Sequence, residues 1–275
     1  MFKELIPSLM QRELTREMYE ELVIGWFRQE LYPEGKPCYD EFIRRMQRSE
    51  KISLPDYKNM FLGFDQNSGI KGLENLKGLE GKPMLVLSNH TNNGPLGGGW
   101  RDITLSCHIN DITGNKIRLM HGYDPTARHD LFRERLHKSI DSILIRNPDP
   151  SQGSSSLRQA IKNKDSMCLY PEGGFGHRDN SLRKGMSEAG RLIRMCLGKD
   201  YGLVTVSFRF KKDTFFAMFD RIENEKISSL EGTDKNTRDQ KIVDYIMARI
   251  AKHLPEKNRG CYQNYQDFIS AFEAL

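Results

Sequence analysis

Residues 84–90 read MLVLSNH, a short apolar run that ends in a polar triplet. A second run, MCLY at 167–170, leads directly into PEGG at 171–174, and similar runs lie at 117–120, 142–145, 203–208 and 215–219. Helical patterns lie between or after these runs, at 130–137, 155–163, 187–197 and 237–253. The alternation begins after a Gly- and Lys-rich link at 69–82. It predicts an α/β fold with a mostly parallel, largely buried sheet flanked by helices.

The chain before residue 69 has a different pattern, with apolar side chains at helical spacing and a Pro- and Gly-containing break. It predicts at least two helices. We therefore expect two units, an N-terminal helical segment over 1–68 and an α/β domain over 69–275. The apolar stripe of the first unit either packs on the domain or places Trp26, Phe27 and Leu31 in a membrane interface.

Composition narrows the class of protein. The 275 residues are 37% hydrophobic and 29% charged, which is typical of a globular chain. Five cysteines without a CxxC pair favour a reducing, cytoplasmic setting. The net charge of +5 is too small to indicate nucleic acid, so no such partner is expected. No apolar run approaches the roughly 20 residues that span a bilayer, so we expect any membrane contact to be peripheral.

Three of the apolar runs end in side chains that could carry chemistry. His90 follows the first run, Arg146 ends another, and Glu172 follows a third. Parallel strands place reacting groups at their carboxyl ends. A histidine, with an ordinary pKa of about 6.5, can take a proton from a hydroxyl, and a guanidinium binds phosphate through two parallel donors.

The order of these motifs resembles the glycerol-phosphate and lysophospholipid acyltransferase family. The family pattern is an NH-x4-D block, a strand ending in Arg, a PEG block, and a KG helix start that leads to an apolar strand. The matching residues are NH at 89–90, LIR at 144–146, YPEGG at 170–174, RKG at 183–185 and VTVS at 204–207. The resemblance extends over roughly 82–207.

This resemblance implies an O-acyltransferase of phospholipid biosynthesis, either cytoplasmic or peripheral on the cytoplasmic side of a membrane. It would move a fatty acyl group from acyl-CoA or acyl-carrier protein to a hydroxyl of a lysophospholipid or glycerol-phosphate-like acceptor. His90 would be the general base, and no cofactor besides the thioester co-substrate is expected. The implied substrate-binding residues are Asn89, Arg146, Pro171, Glu172, Gly173, Gly174, Arg183 and Lys184.

One position departs from the family pattern. Pro95 stands five residues after His90, where the family has its aspartate, and proline cannot orient an imidazole. Residues 99–103 read GWRDI and resemble the end of the family block. If 92–98 is an insertion, Asp102 takes the place of the aspartate and holds the tautomer of His90 while stabilising the imidazolium.

Several alternatives stay open at this level. Glu172 could orient Arg146 or bond the loop backbone, and the amides of Gly173 and Gly174 could donate to an oxyanion or to the acceptor phosphate. The other histidines lack metal-ligand spacing, so no metal site is predicted. The alternative function is a non-catalytic lipid- or acyl-binding relative that lost its aspartate. A hydrolase based on Ser88 is disfavoured because no GxSxG elbow is present.

Overall fold

A computed structural model describes residues 15–61, 69–90, 99–122, 131–146, 150–173, 181–211, 214–228 and 234–274. In these parts seven strands form one sheet: β1 (Gly69–Lys71), β2 (Met84–Ser88), β3 (Ile117–Gly122), β4 (Ile143–Arg146), β5 (Ser166–Leu169), β6 (Gly202–Lys211) and β7 (Thr214–Ile222). Their spatial order is β1-β7-β6-β2-β5-β3-β4. The five strands from β6 to β4 in this order are parallel, whereas β7 is antiparallel to β6. The predicted mostly parallel α/β sheet is confirmed.

The helices are α1 (Arg16–Glu30), α2 (Lys36–Gln47), α3 (Gly99–Thr113), α4 (Leu131–Ser139), α5 (Pro150–Lys162), α6 (Ser187–Leu197), α7 (Asn224–Ser228), α8 (Lys235–Lys252) and α9 (Tyr265–Glu273). Side-chain caps mark two of the starts. The Thr15 hydroxyl accepts from the Met18 amide at 3.2 Å, and the Asp234 carboxylate accepts from the Asn236 and Thr237 amides. The predicted N-terminal helices are present as α1 and α2, and the predicted later helices correspond to α4, α5, α6 and α8.

Alternating side chains of β2 enter two separate cores, which is why this strand is apolar throughout. Met84 and Val86 pack in the core formed with α1, α2 and α3. Leu85 and Leu87 pack in the core formed with α5, α6 and α8. The N-terminal helices therefore share a core with one face of the sheet.

The apolar stripe of α1 packs on the domain. Phe27 and Leu31 are only 5% and 3% exposed, and the Phe27 ring lies 5.6 Å from the ring of Phe132 on α4. Trp26 is partly buried against the same core. Packing on the domain thus accounts for Trp26, Phe27 and Leu31, whereas Met18 and Leu22 of the same helix are 53% and 50% exposed. Across the described ranges, every helix is too short or too polar to cross a membrane.

The region predicted as a link, 69–82, has more structure than expected. It contains β1, which pairs with β7 in parallel register, and a short 3-10 helix over Leu73–Leu76. The run GIK of β1 is too short and too polar to stand out as a strand. The predicted boundary at 68/69 adjoins residues 62–68, which lie outside the described parts.

Two neighbouring strands leave the sheet side by side at its carboxyl edge. β2 and β5 are parallel and pair Leu87 with Leu169. Residues 89–90 and 170–172 therefore emerge next to each other, and this adjacency brings the two main sequence motifs together.

Candidate functional site

Asn89 continues the hydrogen-bond ladder of β2 beyond the end of the strand. Its Nδ2 donates to the Phe208 carbonyl at 2.9 Å, and its Oδ1 accepts from the Phe208 amide at 2.7 Å. The residue is 1% exposed. Its side chain imitates a peptide group and fixes the point at which the chain leaves the sheet, so the structure gives Asn89 a different task from the expected substrate contact.

Glu172 clamps three chain segments together. Its Oε1 accepts from the His90 amide at 2.9 Å, and its Oε2 accepts from the Arg183 amide at 2.8 Å. Burial raises the pKa of this carboxyl, although both amides and the nearby arginines favour its charged form. Of the two tasks left open for Glu172, bonding to the loop backbone is confirmed.

The turn that carries Glu172 is docked on the start of α6. The Pro171 carbonyl accepts from the Met186 amide at 2.9 Å, and the Gly173 amide donates to the Tyr170 carbonyl at 3.0 Å. Gly173 has a φ of +68°, a left-handed conformation that favours glycine. Because its amide is already engaged, donation from Gly173 to an oxyanion would require a change of partner. Gly174 lies outside the described residues.

The expected cationic residues are spread along the carboxyl edge. Arg183 and Lys184 are exposed and immediately precede Gly185, whose amide donates to the Tyr262 hydroxyl at 2.9 Å. Arg146 ends β4, which is separated from β2 by two strands. At about 4.8 Å per strand, its backbone lies roughly 14 Å across the sheet from β2. Nothing is described of its side chain, so its binding task stays a prediction.

His90 is largely buried and packs against an aromatic ring. The imidazole and the Tyr170 ring have centroids 5.0 Å apart and an interplanar angle of 62°. Burial lowers the pKa of His90 to about 3, and the positive charges of Arg101, Arg133 and Arg183 add to this shift. The imidazole is therefore neutral at physiological pH and able to accept a proton, but with so low a pKa it is a weak base in the free protein.

Asp102 lies in the first turn of α3, where its carboxylate is held by two neighbours. Its Oδ1 accepts from Arg101 Nε at 2.8 Å and also from the Tyr170 hydroxyl. The Arg101 side chain is buried, with its Cζ 4.4 Å from the centre of the Tyr170 ring. Among the described residues, the connection from Asp102 to His90 thus passes through Tyr170.

Tyr170 and Arg101 are the site residues that the sequence reasoning missed. Both stood within the quoted motifs, directly before PEGG and directly before Asp102. The sequence offered only a weak signal for each of them. A tyrosine at the end of a buried strand has a hydroxyl that needs a hydrogen-bond partner. An arginine next to an aspartate suggests an ion pair.

Two further histidines form a stacked pair at the same edge. The rings of His121 and His137 lie 3.3 Å apart with an interplanar angle of 3°, and the Ser142 hydroxyl is 2.9 and 3.1 Å from their Nδ1 atoms. Burial lowers the pKa of His121 to about 4 and that of His137 to about 2. Within the described ranges, no group of three or more potential ligands could hold a metal ion.

No family model and no curated protein matches this chain. What this chain can do must therefore be inferred from the geometry around His90, from the charges near it and from the order of the motifs.

Proposed function

We propose that the protein is an O-acyltransferase that uses His90 as its general base. The acyl donor would be a thioester of CoA or of acyl-carrier protein, and the acceptor a hydroxyl of a lysophospholipid or glycerol-phosphate-like molecule. One observation carries the proposal. At the carboxyl edge of the sheet, β2 and β5 end side by side, and the His90 amide donates to the Glu172 carboxylate at 2.9 Å, so the histidine stands next to the turn that carries PEGG.

The chemistry needs little more than a positioned base. His90 takes the proton of the acceptor hydroxyl as its oxygen attacks the thioester carbonyl carbon. The resulting tetrahedral oxyanion collapses, the carbon–sulfur bond breaks, and the departing thiolate takes the proton from the imidazolium. The products are an ester and a free thiol, and the base is regenerated.

The charges around His90 favour an anionic acceptor. Arg101, Arg133 and Arg183 are close enough to lower its pKa. Arg101 is buried against Asp102, whereas Arg183 and its neighbour Lys184 are exposed. An anionic head group bound at Arg183 and Lys184 would offset part of this effect and raise the pKa of the imidazole. Binding of the acceptor would thereby make His90 a stronger base in the complex than in the free protein.

The test is release of thiol from acyl-CoA, and separately from acyl-carrier protein, with and without lysophosphatidic acid. We expect release to depend on the acceptor and to form the diacyl product. Monoacylglycerol, which has a hydroxyl but no anionic head group, is the matched control and should react more slowly. Saturable binding of acyl-CoA without acceptor-dependent thiol release would instead favour the non-catalytic lipid-binding alternative.

Replacing Arg183 by alanine is expected to raise the KM for lysophosphatidic acid by about 10-fold, the usual cost of losing one hydrogen bond to a charged group. The backbone amide that donates to Glu172 is retained in this variant. Lys199→Ala is the control, because Lys199 is exposed in the turn before β6 at the opposite edge of the sheet. KM is measured from initial rates. Equal KM values for lysophosphatidic acid in the two variants would show that Arg183 does not bind the acceptor.

A further inference from the structure

Tyr170 lies between the imidazole and a buried ion pair. Its ring packs against His90 at 5.0 Å, its hydroxyl donates to Asp102, and the Arg101 guanidinium covers its ring at 4.4 Å. Three separate contacts therefore fix one side chain. A ring held in this way restricts the orientations open to the imidazole that packs on it.

We propose that Tyr170 is a positioning residue for His90 and that Asp102 acts on His90 through it. This inference rests on the proposed acyltransferase function. In a directly bonded pair, the carboxylate itself orients the imidazole. Here the carboxylate bonds to Tyr170 and Arg101 among the described residues, so its orienting effect reaches the imidazole through the tyrosine ring.

The buried cation explains why Asp102 stays with the tyrosine. Arg101 is 2% exposed, and a guanidinium so deeply buried requires its counter-ion. Asp102 cannot turn toward His90 without weakening that pair. The Asp102 backbone is also tied within α3, because its carbonyl accepts from the Ser106 hydroxyl at 2.8 Å.

A positioning task has a distinct kinetic signature. Removing the Tyr170 hydroxyl leaves the ring beside His90 but releases the ring from Asp102, so the imidazole samples unproductive orientations. Such a change should lower kcat and leave KM for both substrates nearly unchanged, because no substrate contact is lost.

The experiment is a double-mutant cycle of Tyr170→Phe and Asp102→Asn. We expect each single variant to lose about 10-fold in kcat, the size of one hydrogen bond to a charged group. If Asp102 acts through Tyr170, the double variant should also lose about 10-fold, whereas independent effects would multiply to about 100-fold. Multiplicative losses would overturn the proposal.

Tyr201→Phe is the matched control. Tyr201 is also buried, and its hydroxyl donates to the Asp165 carbonyl at 3.0 Å, near the starts of β5 and β6 at the opposite edge of the sheet. This variant should keep the wild-type kcat. If Tyr170→Phe behaves like Tyr201→Phe, Tyr170 has no positioning task.

Imidazole resonances of His90, followed by NMR with ¹⁵N-labelled histidine, give a readout that does not depend on turnover. They should shift in Tyr170→Phe and in Asp102→Asn but not in Tyr201→Phe. Absence of acyl transfer in the wild-type protein would defeat the proposed function, while unchanged resonances in both site variants would defeat the coupling. If Asp102→Asn does not fold, the double variant Arg101→Met/Asp102→Leu takes its place in the cycle. This variant removes both buried charges together, so neither is left without its counter-ion.

Discussion

Replacement of His90 by alanine is expected to reduce kcat for acyl transfer by about 10²–10⁴, because the acceptor hydroxyl then has no base. The fold should survive, since the His90 amide that donates to Glu172 belongs to the backbone and is kept. The measurement is acceptor-dependent thiol release at saturating substrates, beside thermal unfolding of both proteins. Activity within 2-fold of the wild type, in a folded variant, would exclude His90 as the base.

Two further variants make this test specific. His90→Gln keeps a polar side chain of similar size without a useful base, and it should be as inactive as the alanine variant. His253→Gln changes another partly buried histidine, at the end of α8, and should retain full activity. Loss of activity in all three variants would indicate general damage rather than loss of a base.

Acidification is expected to destabilise the protein steeply. The pKa values of His90, His121 and His137 are lowered to about 3, 4 and 2, chiefly by burial. An unfolded histidine titrates near 6.5, so below that pH the unfolded chain binds protons that the folded chain excludes. The stability from these groups is present above pH 6.5 and is lost progressively as the pH falls from 6.5 toward the folded pKa values of about 4, 3 and 2.

Three such groups give a slope of about 4 kcal/mol per pH unit and a loss of about 5 kcal/mol between pH 7 and pH 5. That loss is comparable to the whole stability of many domains. Burial raises the pKa values of Glu20 and Glu172, which therefore take up protons in the folded state and offset part of the loss.

Denaturant unfolding at pH 7, 6 and 5 measures this slope directly. The double variant His121→Phe and His137→Phe keeps two stacked aromatic rings but removes two titrating groups, so its slope should be about one third of the wild-type value. His90→Gln should lower the slope by about one third. An unchanged slope in the double variant would show that the stacked pair is not buried in its neutral form.

The sheet could be predicted because its central strands are apolar on both faces. The run at 84–88 is buried throughout, and the same holds for 166–169. The edges could not be predicted in this way. β1 is three residues long, and β7 pairs with β6 in antiparallel register although apolar periodicity does not encode strand direction.

In the site, too, some features could be predicted from the position of residues in the sequence, whereas others depend on how side chains pack. The sequence placed His90 and Glu172 at the ends of two apolar runs, and in the structure the His90 amide donates to the Glu172 carboxylate. The partners of Asp102 were not predictable, because sequence spacing does not say which buried cation or hydroxyl a carboxylate will meet. Burial decided that outcome, since Arg101 requires a counter-ion and Tyr170 requires an acceptor.

The clamp at Glu172 also bears on protein engineering. Its two oxygens accept from the His90 and Arg183 amides, so one carboxylate fixes the backbone at two distant points of the chain. Redesigned variants should therefore keep a carboxylate at position 172, because a neutral apolar side chain there would leave both amide donors without their acceptor.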